Sequence, residues 1–179
     1  MAGKIILFGG SPGAGKSTTA KALAKRFARG VHFETDLIRE FVVSGRADPI
    51  PWTEETTRQF AIARENVCFM ADNYCRNGFV VTIDDVLTAP TDYVELLTTD
   101  QVHTVFLKPD KAVCIERNLQ RTNKDFDTQV LVEFIGGFCD QLETELHPQL
   151  WDLVLDNGDL TLEENVEQIM QLLQGQVVD

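Results

Sequence analysis

One stretch limits this chain more than any other: Gly9-Gly10-Ser11-Pro12-Gly13-Ala14-Gly15-Lys16-Ser17-Thr18 follows directly on the apolar run Ile5-Ile6-Leu7-Phe8 and opens a helical pattern. Read from Gly10, it fits the spacing G-x-x-x-x-G-K-S/T. Glycines so placed let consecutive backbone N–H groups turn inward around an anion, while the helix behind them aims its positive end at the same point. A turn joining strand to helix would explain the glycines but not the Lys-Ser pair behind them. Gly10, Ser11, Pro12, Gly13, Ala14, Gly15, Lys16, Ser17 and Thr18 are therefore expected to hold the phosphates of a nucleotide. Lys16 would reach the β and γ phosphates, and the Ser17 hydroxyl would ligate Mg²⁺.

A phosphate loop needs a sheet beneath it, and the rest of the chain supplies the pattern of one. Strand-like runs at Val31-His32-Phe33-Glu34, Phe79-Val80-Val81-Thr82-Ile83, Val102 to Leu107 and Leu153-Val154-Leu155 alternate with helical periodicities. Ala20, Leu23, Ala24 and Phe27 recur at helical spacing behind the loop, and a helix from Asp36 to Val43 follows the second strand. Pro49 and Pro51 break it, and that break is expected to reach over the site. From Thr53 as N-cap a long helix runs to Asn77-Gly78, with Phe60, Ala63, Val67, Met70 and Tyr74 as its core stripe. Helices are expected at about 110–123 and 128–146, and Thr161 with Glu164 forms a capping box for the last one. Five strands alternating with helices make an α/β domain wound on both faces of a parallel sheet, whose ligands bind beyond the carboxyl ends of the strands. Residues 1–179 are read as one such domain, with a short helical lid at about 110–128.

The net charge of −12 disfavours a long nucleic acid or a membrane surface as partner, although a local basic cleft is compatible with it. Cys68, Cys75, Cys114 and Cys139 lack the C-x-x-C spacing of a zinc site and read as reduced, buried residues. Met1-Ala2-Gly3-Lys4 runs straight into the first strand, and no apolar run is long enough to cross a bilayer. A cytoplasmic protein is expected.

Each polar cluster falls at the carboxyl end of a strand: the loop after the first, Asp36 after the second, Asp84 and Asp85 after the third. Phosphoryl transfer to an alcohol needs a base in reach of the acceptor and a carboxylate for Mg²⁺ or its waters. Asp36 suits the first task, with capping of its own helix as the plainer alternative. Asp84 or Asp85 suits the second, either being equally at home in a turn. Arg39 shares a helix face with Asp36 and would orient the acceptor or pair with that base. Arg117 and Arg121 lie i, i+4 on one helix face, opposite Ile115 and Leu119, and would either meet transition-state charge or be solvated. His32, His103 and His147 are not spaced for metal and read as ordinary residues. Trp52 and Trp151 read as packing anchors, Trp52 also as a wall of an acceptor pocket.

The sequence resembles the small P-loop kinases grouped with chloramphenicol phosphotransferase, gluconate and shikimate kinases and the zeta-toxin sugar-nucleotide kinases. Four features carry the likeness: the Gly9 to Ser17 loop, Asp36, Val81-Thr82-Ile83-Asp84-Asp85-Val86-Leu87, and the lid-like Glu116-Arg117-Asn118-Leu119-Gln120-Arg121. Ile83 to Val86 and Trp151-Asp152-Leu153-Val154-Leu155-Asp156 are most similar to the chloramphenicol phosphotransferase type. The resemblance implies a three-layer P-loop fold with sheet order 2-3-1-4-5, ATP and Mg²⁺ as cofactors, and Asp36 as catalytic base. It also implies Arg117 stacked on adenine. Asp36-Leu37-Ile38-Arg39 is similar, too, to the 5′-kinase domain of phage polynucleotide kinase, where such an Asp and Arg flank the acceptor hydroxyl. The expected activity is ATP-dependent phosphorylation of a small molecule's hydroxyl, with a polynucleotide or nucleoside 5′-kinase and an acceptor-free NTPase switch as alternatives. Asn123-Lys124-Asp125 lacks the spacer of a guanine-reading motif.

Overall fold

The structure, a computed structural model, describes residues 3–120 and 128–175. Five strands, β1 (Lys4–Gly10), β2 (Gly30–Glu34), β3 (Val80–Asp84), β4 (Val102–Leu107) and β5 (Leu153–Leu155), form one sheet in the order β2-β3-β1-β4-β5. Every pairing is parallel. The order and class are those expected.

Parallel strands are covered on both faces and so read as unbroken apolar runs. Successive side chains of β1 divide between two cores. Ile5 and Leu7 join Val81, Ile83 and the helix α3 (Glu54–Arg76) on one face. Ile6 and Phe8 join α1 (Lys16–Ala24) and α7 (Leu162–Leu173) on the other. The capping box of α7 is present, with Thr161 accepting from the Glu164 N–H and Glu164 accepting from Thr161. α3 starts as expected at the Thr53 cap, with Thr56 completing the box. Its buried stripe runs through Phe60, Ala63 and Val67 but continues along Cys68, Ala71 and Cys75. Met70 is only partly buried, and Tyr74, 39% exposed, lies at the rim against Phe33 and Phe79.

Two helices differ from expectation. α2 spans only Thr35–Arg39, and Phe41, Val42 and Val43, at the end of the expected helix, are exposed. Adjacent β-branched residues are poor helix formers, no element among the described residues covers them, and Gly45 turns the chain at φ +76°. After α4 (Thr91–Val94) and β4 comes α5 (Lys111–Leu119), whose buried side is Cys114 and Asn118, whereas Leu119 is 54% exposed. That face packs on the backbone of the phosphate loop, where a Cβ on Gly13 would lie 2.3 Å from the Asn118 side chain. Ile115 is half-buried against the core that holds Cys114, so of the Ile115-Leu119 face it is Leu119 that is left outside. α6 (Thr128–Glu145) crosses back along the sheet, sending Ile135 and Cys139 into one core and Leu142 into the other. Trp151 is the anchor expected: it packs on Phe106 at 5.1 Å and approaches Gly9 so closely that a Cβ there would meet the indole at 2.2 Å. The four cysteines are free and buried. Among the described residues no helix is long and apolar enough to cross a membrane.

Candidate active site

Three strands end level with one another. Phe8 of β1 and Glu34 of β2 both pair with Asp84 of β3, so the loop after β1, the α2 turn and the Asp84-Asp85 pair share one edge of the sheet. In the loop, Gly10, Gly13 and Gly15 take φ of +136°, +86° and +91°, values that L side chains rarely adopt. Lys16 is buried, and its Nζ donates to the carbonyls of Gly10 (3.0 Å) and Ser11 (2.9 Å). The ammonium therefore lies inside the bend of the loop. Pro12 is half-buried, Ala14 is fully buried, and Thr18 is exposed on the first turn of α1. Ser11 is buried, with its hydroxyl 3.0 Å from the Cys114 sulfur.

The Ser17 hydroxyl donates to Asp84 Oδ2 at 2.9 Å. Asp84 Oδ1 is buried without a hydrogen bond, and His32 Nε2 stands 3.1 Å from it. Asp85, the next residue, is occupied internally: Oδ1 accepts from the Val86 N–H at 2.7 Å, and Oδ2 accepts from Arg64 Nε and the Tyr93 hydroxyl, each at 3.0 Å. Burial pushes its carboxyl above the ordinary carboxylate range, against the pull of the Arg64 guanidinium. Arg64 also reaches Asp92 at 2.6 Å, and Tyr93 contacts the Thr35 hydroxyl at 2.6 Å. This network ties the start of α2 to the end of β3.

Asp36 is exposed in the first turn of α2, where the helix dipole favours a carboxylate. It is not the helix cap, a position that falls to Glu34 without a side-chain hydrogen bond. Arg39 does not pair with Asp36. Its guanidinium lies 3.8 Å over the Phe60 ring and donates to the Ala47 carbonyl at 2.8 Å, with Nε buried and unpartnered. Burial pushes its pKa down, opposed chiefly by the field of Asp36. Trp52 stacks on Phe60 at 4.9 Å and is 54% exposed. Beside this edge a space of about 250 Å³ lies between Arg64, Leu87, Thr88, Asp92, Phe138 and Gln141.

On the other side of the loop, Arg117 donates to the carbonyls of Asn157 (3.1 Å) and Gly158 (3.2 Å), and the Asn157 amide donates to the Ala14 carbonyl at 2.9 Å. The turn after β5 is thus fastened to the phosphate loop and to α5. Arg121 and Asn123-Lys124-Asp125 lie outside the described residues.

Sequence reasoning missed His32, Arg64, Tyr93 and Asn157. Arg64 left a trace, an arginine between Phe60 and Val67 on the buried side of α3. The others left none, because their partners are distant in sequence.

Solved structures with this fold span nearly the whole chain. A shikimate kinase from Bacteroides thetaiotaomicron is 20% identical with a TM-score of 0.67, over 96% of this chain and 98% of its own. A shikimate kinase from Acinetobacter baumannii, in complex with shikimate, is 17% identical at 0.62, over 96% and 93%. A sugar kinase from Janibacter sp. HTCC2649 is 22% identical at 0.64, over 96% and 94%. No protein of curated function matches the sequence. At the sequence level residues 5–138, from the first buried residue of β1 to the middle of α6, match the family described as an AAA domain, and the chain belongs to that family.

Proposed function

We propose that this protein is an ATP-dependent kinase that moves the γ-phosphate of ATP to a hydroxyl of a small molecule. The observation that carries the reading is the Ser17 to Asp84 hydrogen bond of 2.9 Å directly behind a phosphate loop that already holds a buried ammonium. A loop serine and a strand-end aspartate in contact are the pair that holds Mg²⁺ in P-loop enzymes. The residues fit the ion: the Ser17 hydroxyl and Asp84 Oδ2, 2.9 Å apart, are both oxygen donors of the kind Mg²⁺ takes. Bound there with the nucleotide, Mg²⁺ would supply positive charge against the phosphate oxygens.

The remaining roles follow from chemistry. Backbone amides from Gly10 to Thr18 cradle the phosphates, and Lys16 leaves its loop carbonyls to meet the β and γ oxygens. Asp36, on the same edge and open to solvent, accepts the proton of the acceptor hydroxyl. Arg39 shapes the acceptor side through its stack on Phe60, and Asp85 acts there through Arg64 and Tyr93. Arg117, beside the turn at Asn157, serves the adenine end, and Arg121 is left to meet charge on the transferring phosphoryl group. The kinases among the structural relatives, one holding the polyhydroxy compound shikimate, support this class of acceptor. Ile83 to Val86 and Trp151 to Asp156 favour the chloramphenicol phosphotransferase type within it.

An ATP-consumption screen over sugars, nucleosides, aminoglycoside-like compounds and phenicols tests the proposal. One class should accelerate ADP formation well above the basal rate, and Lys16→Ala should abolish that acceleration. Hydrolysis that no acceptor alters would replace the kinase by an NTPase switch.

A further inference from the structure

We infer that His32 is a positioning residue for Asp84, holding one carboxylate oxygen from β2 so that the other stays turned toward Ser17 and Mg²⁺. The inference rests on the reading of Ser17 and Asp84 as the Mg²⁺ pair. His32 lies opposite Thr82 in the β2–β3 register, and its side chain is only 9% exposed. Its Nδ1 is 3.0 Å from the Thr82 hydroxyl, and its Nε2 is 3.1 Å from Asp84 Oδ1.

The tautomer follows from Asp84. A carboxylate oxygen only accepts, so Nε2, 3.1 Å from Oδ1, carries the proton. The neutral ring then accepts at Nδ1 from the Thr82 hydroxyl at 3.0 Å, a hydroxyl that also has the carbonyls of Ala20 and Val31 at 3.2 and 3.3 Å. The chain then reads Thr82 to His32 to Asp84, with Ser17 donating to the far oxygen.

Asp84 needs such a partner. The terminal torsion of an aspartate is broad, so a carboxylate held on one side only can swing. Asp84 Oδ1 and His32 Nε2 are both buried, neither has a hydrogen bond to another group, and they lie 3.1 Å apart. The next carboxylate, Glu34, is 3.8 Å from Nε2 and forms an ion pair with Lys21. His32 is thus placed to orient Asp84 from the β2 side. A partner of this kind typically changes metal affinity by about 10–100-fold when removed.

The test uses the full chain saturated with ADP, with Mn²⁺ binding followed by the paramagnetic signal of the free ion, beside calorimetry of ADP without metal. His32→Leu should weaken Mn²⁺ binding by about 10–100-fold while metal-free ADP affinity stays at the wild-type value. His32→Gln, whose amide N–H reaches about where Nε2 lies, should recover most of the loss. Thr82→Val, which keeps the shape and removes the hydroxyl, should weaken Mn²⁺ in the same direction and to a smaller extent. Both milder variants keep the test open if His32→Leu folds poorly. Unchanged Mn²⁺ binding in all three, with only the melting temperature moved, would make His32 a packing residue and overturn the inference. If the wild-type protein binds no Mn²⁺ beyond what ADP alone takes, or Asp84→Asn does not weaken that binding, the Mg²⁺ pair itself is wrong and the proposed function fails with it.

Discussion

Asp36 and Asp84 stand at the ends of adjacent strands, yet one is open to solvent and the other is buried against Ser17 and His32. Under the proposed function, that contrast separates a proton acceptor from a metal ligand. Asp36→Asn keeps the volume but cannot take a proton, so phosphate transfer should fall by about 10²–10⁴-fold with ATP affinity retained. Because Glu34 and not Asp36 is the cap of α2, the same change should cost no more than about 1 kcal/mol of stability, readable by urea unfolding. Asp84→Asn should instead shift the Mg²⁺ requirement of the reaction to higher concentration. Arg64 calls for a different measurement. Its removal leaves Asp85, 1% exposed at the side chain, a buried carboxylate without its cation. Arg64→Met should therefore destabilise the protein by about 3–5 kcal/mol in urea unfolding. Lys16, Ser17, Asp36 and Asp84 could be read from the sequence because a motif or the end of an apolar run marks each position. His32, Arg64 and Tyr93 could not, since each is defined by a partner on another element.

Elements were legible in proportion to how much of their pattern the core enforces. β1, β3 and β4 are covered on both faces and read as apolar runs, and α3 announces itself by its Thr53 cap and α7 by its capping box, each with a buried stripe. α2 and α5 were misread in part for physical reasons. Among the described residues Phe41, Val42 and Val43 have nothing to pack on, and α5 buries Cys114 and Asn118, with Ile115 half-buried against the core and Leu119 exposed. The consequence for α5 concerns Arg117, which fastens the turn at Asn157 and Gly158. Arg117→Ala should weaken ATP binding in calorimetry while turnover at saturating ATP falls much less, the opposite split from a residue that meets transition-state charge. At α7, Thr161→Ala removes the acceptor for the Glu164 N–H and should cost about 1 kcal/mol by urea unfolding, leaving ATP affinity untouched.

At the scale of the molecule, the sheet order puts the residues proposed for the nucleotide and for the acceptor on opposite flanks of one loop. The β4–β5 side carries Arg117 and the turn at Asn157, and the β2–β3 side carries Asp36, Arg39 and the space beside Arg64. The shared edge was expected from strand alternation, because a doubly wound sheet gathers its ligands at the carboxyl ends of its strands. The acceptor itself was not legible, because the residues around that space belong to no motif and come from α3, α4, α6 and the segment after β3. The most direct check on the central claim follows the labelled γ-phosphate of ATP during incubation with the pooled hydroxyl compounds of the screen. The account predicts label in an organic phosphate ester, formed by the wild-type protein and lost in Asp36→Asn. Label recovered solely as inorganic phosphate, at a rate that neither the pool nor Asp36→Asn changes, would contradict it.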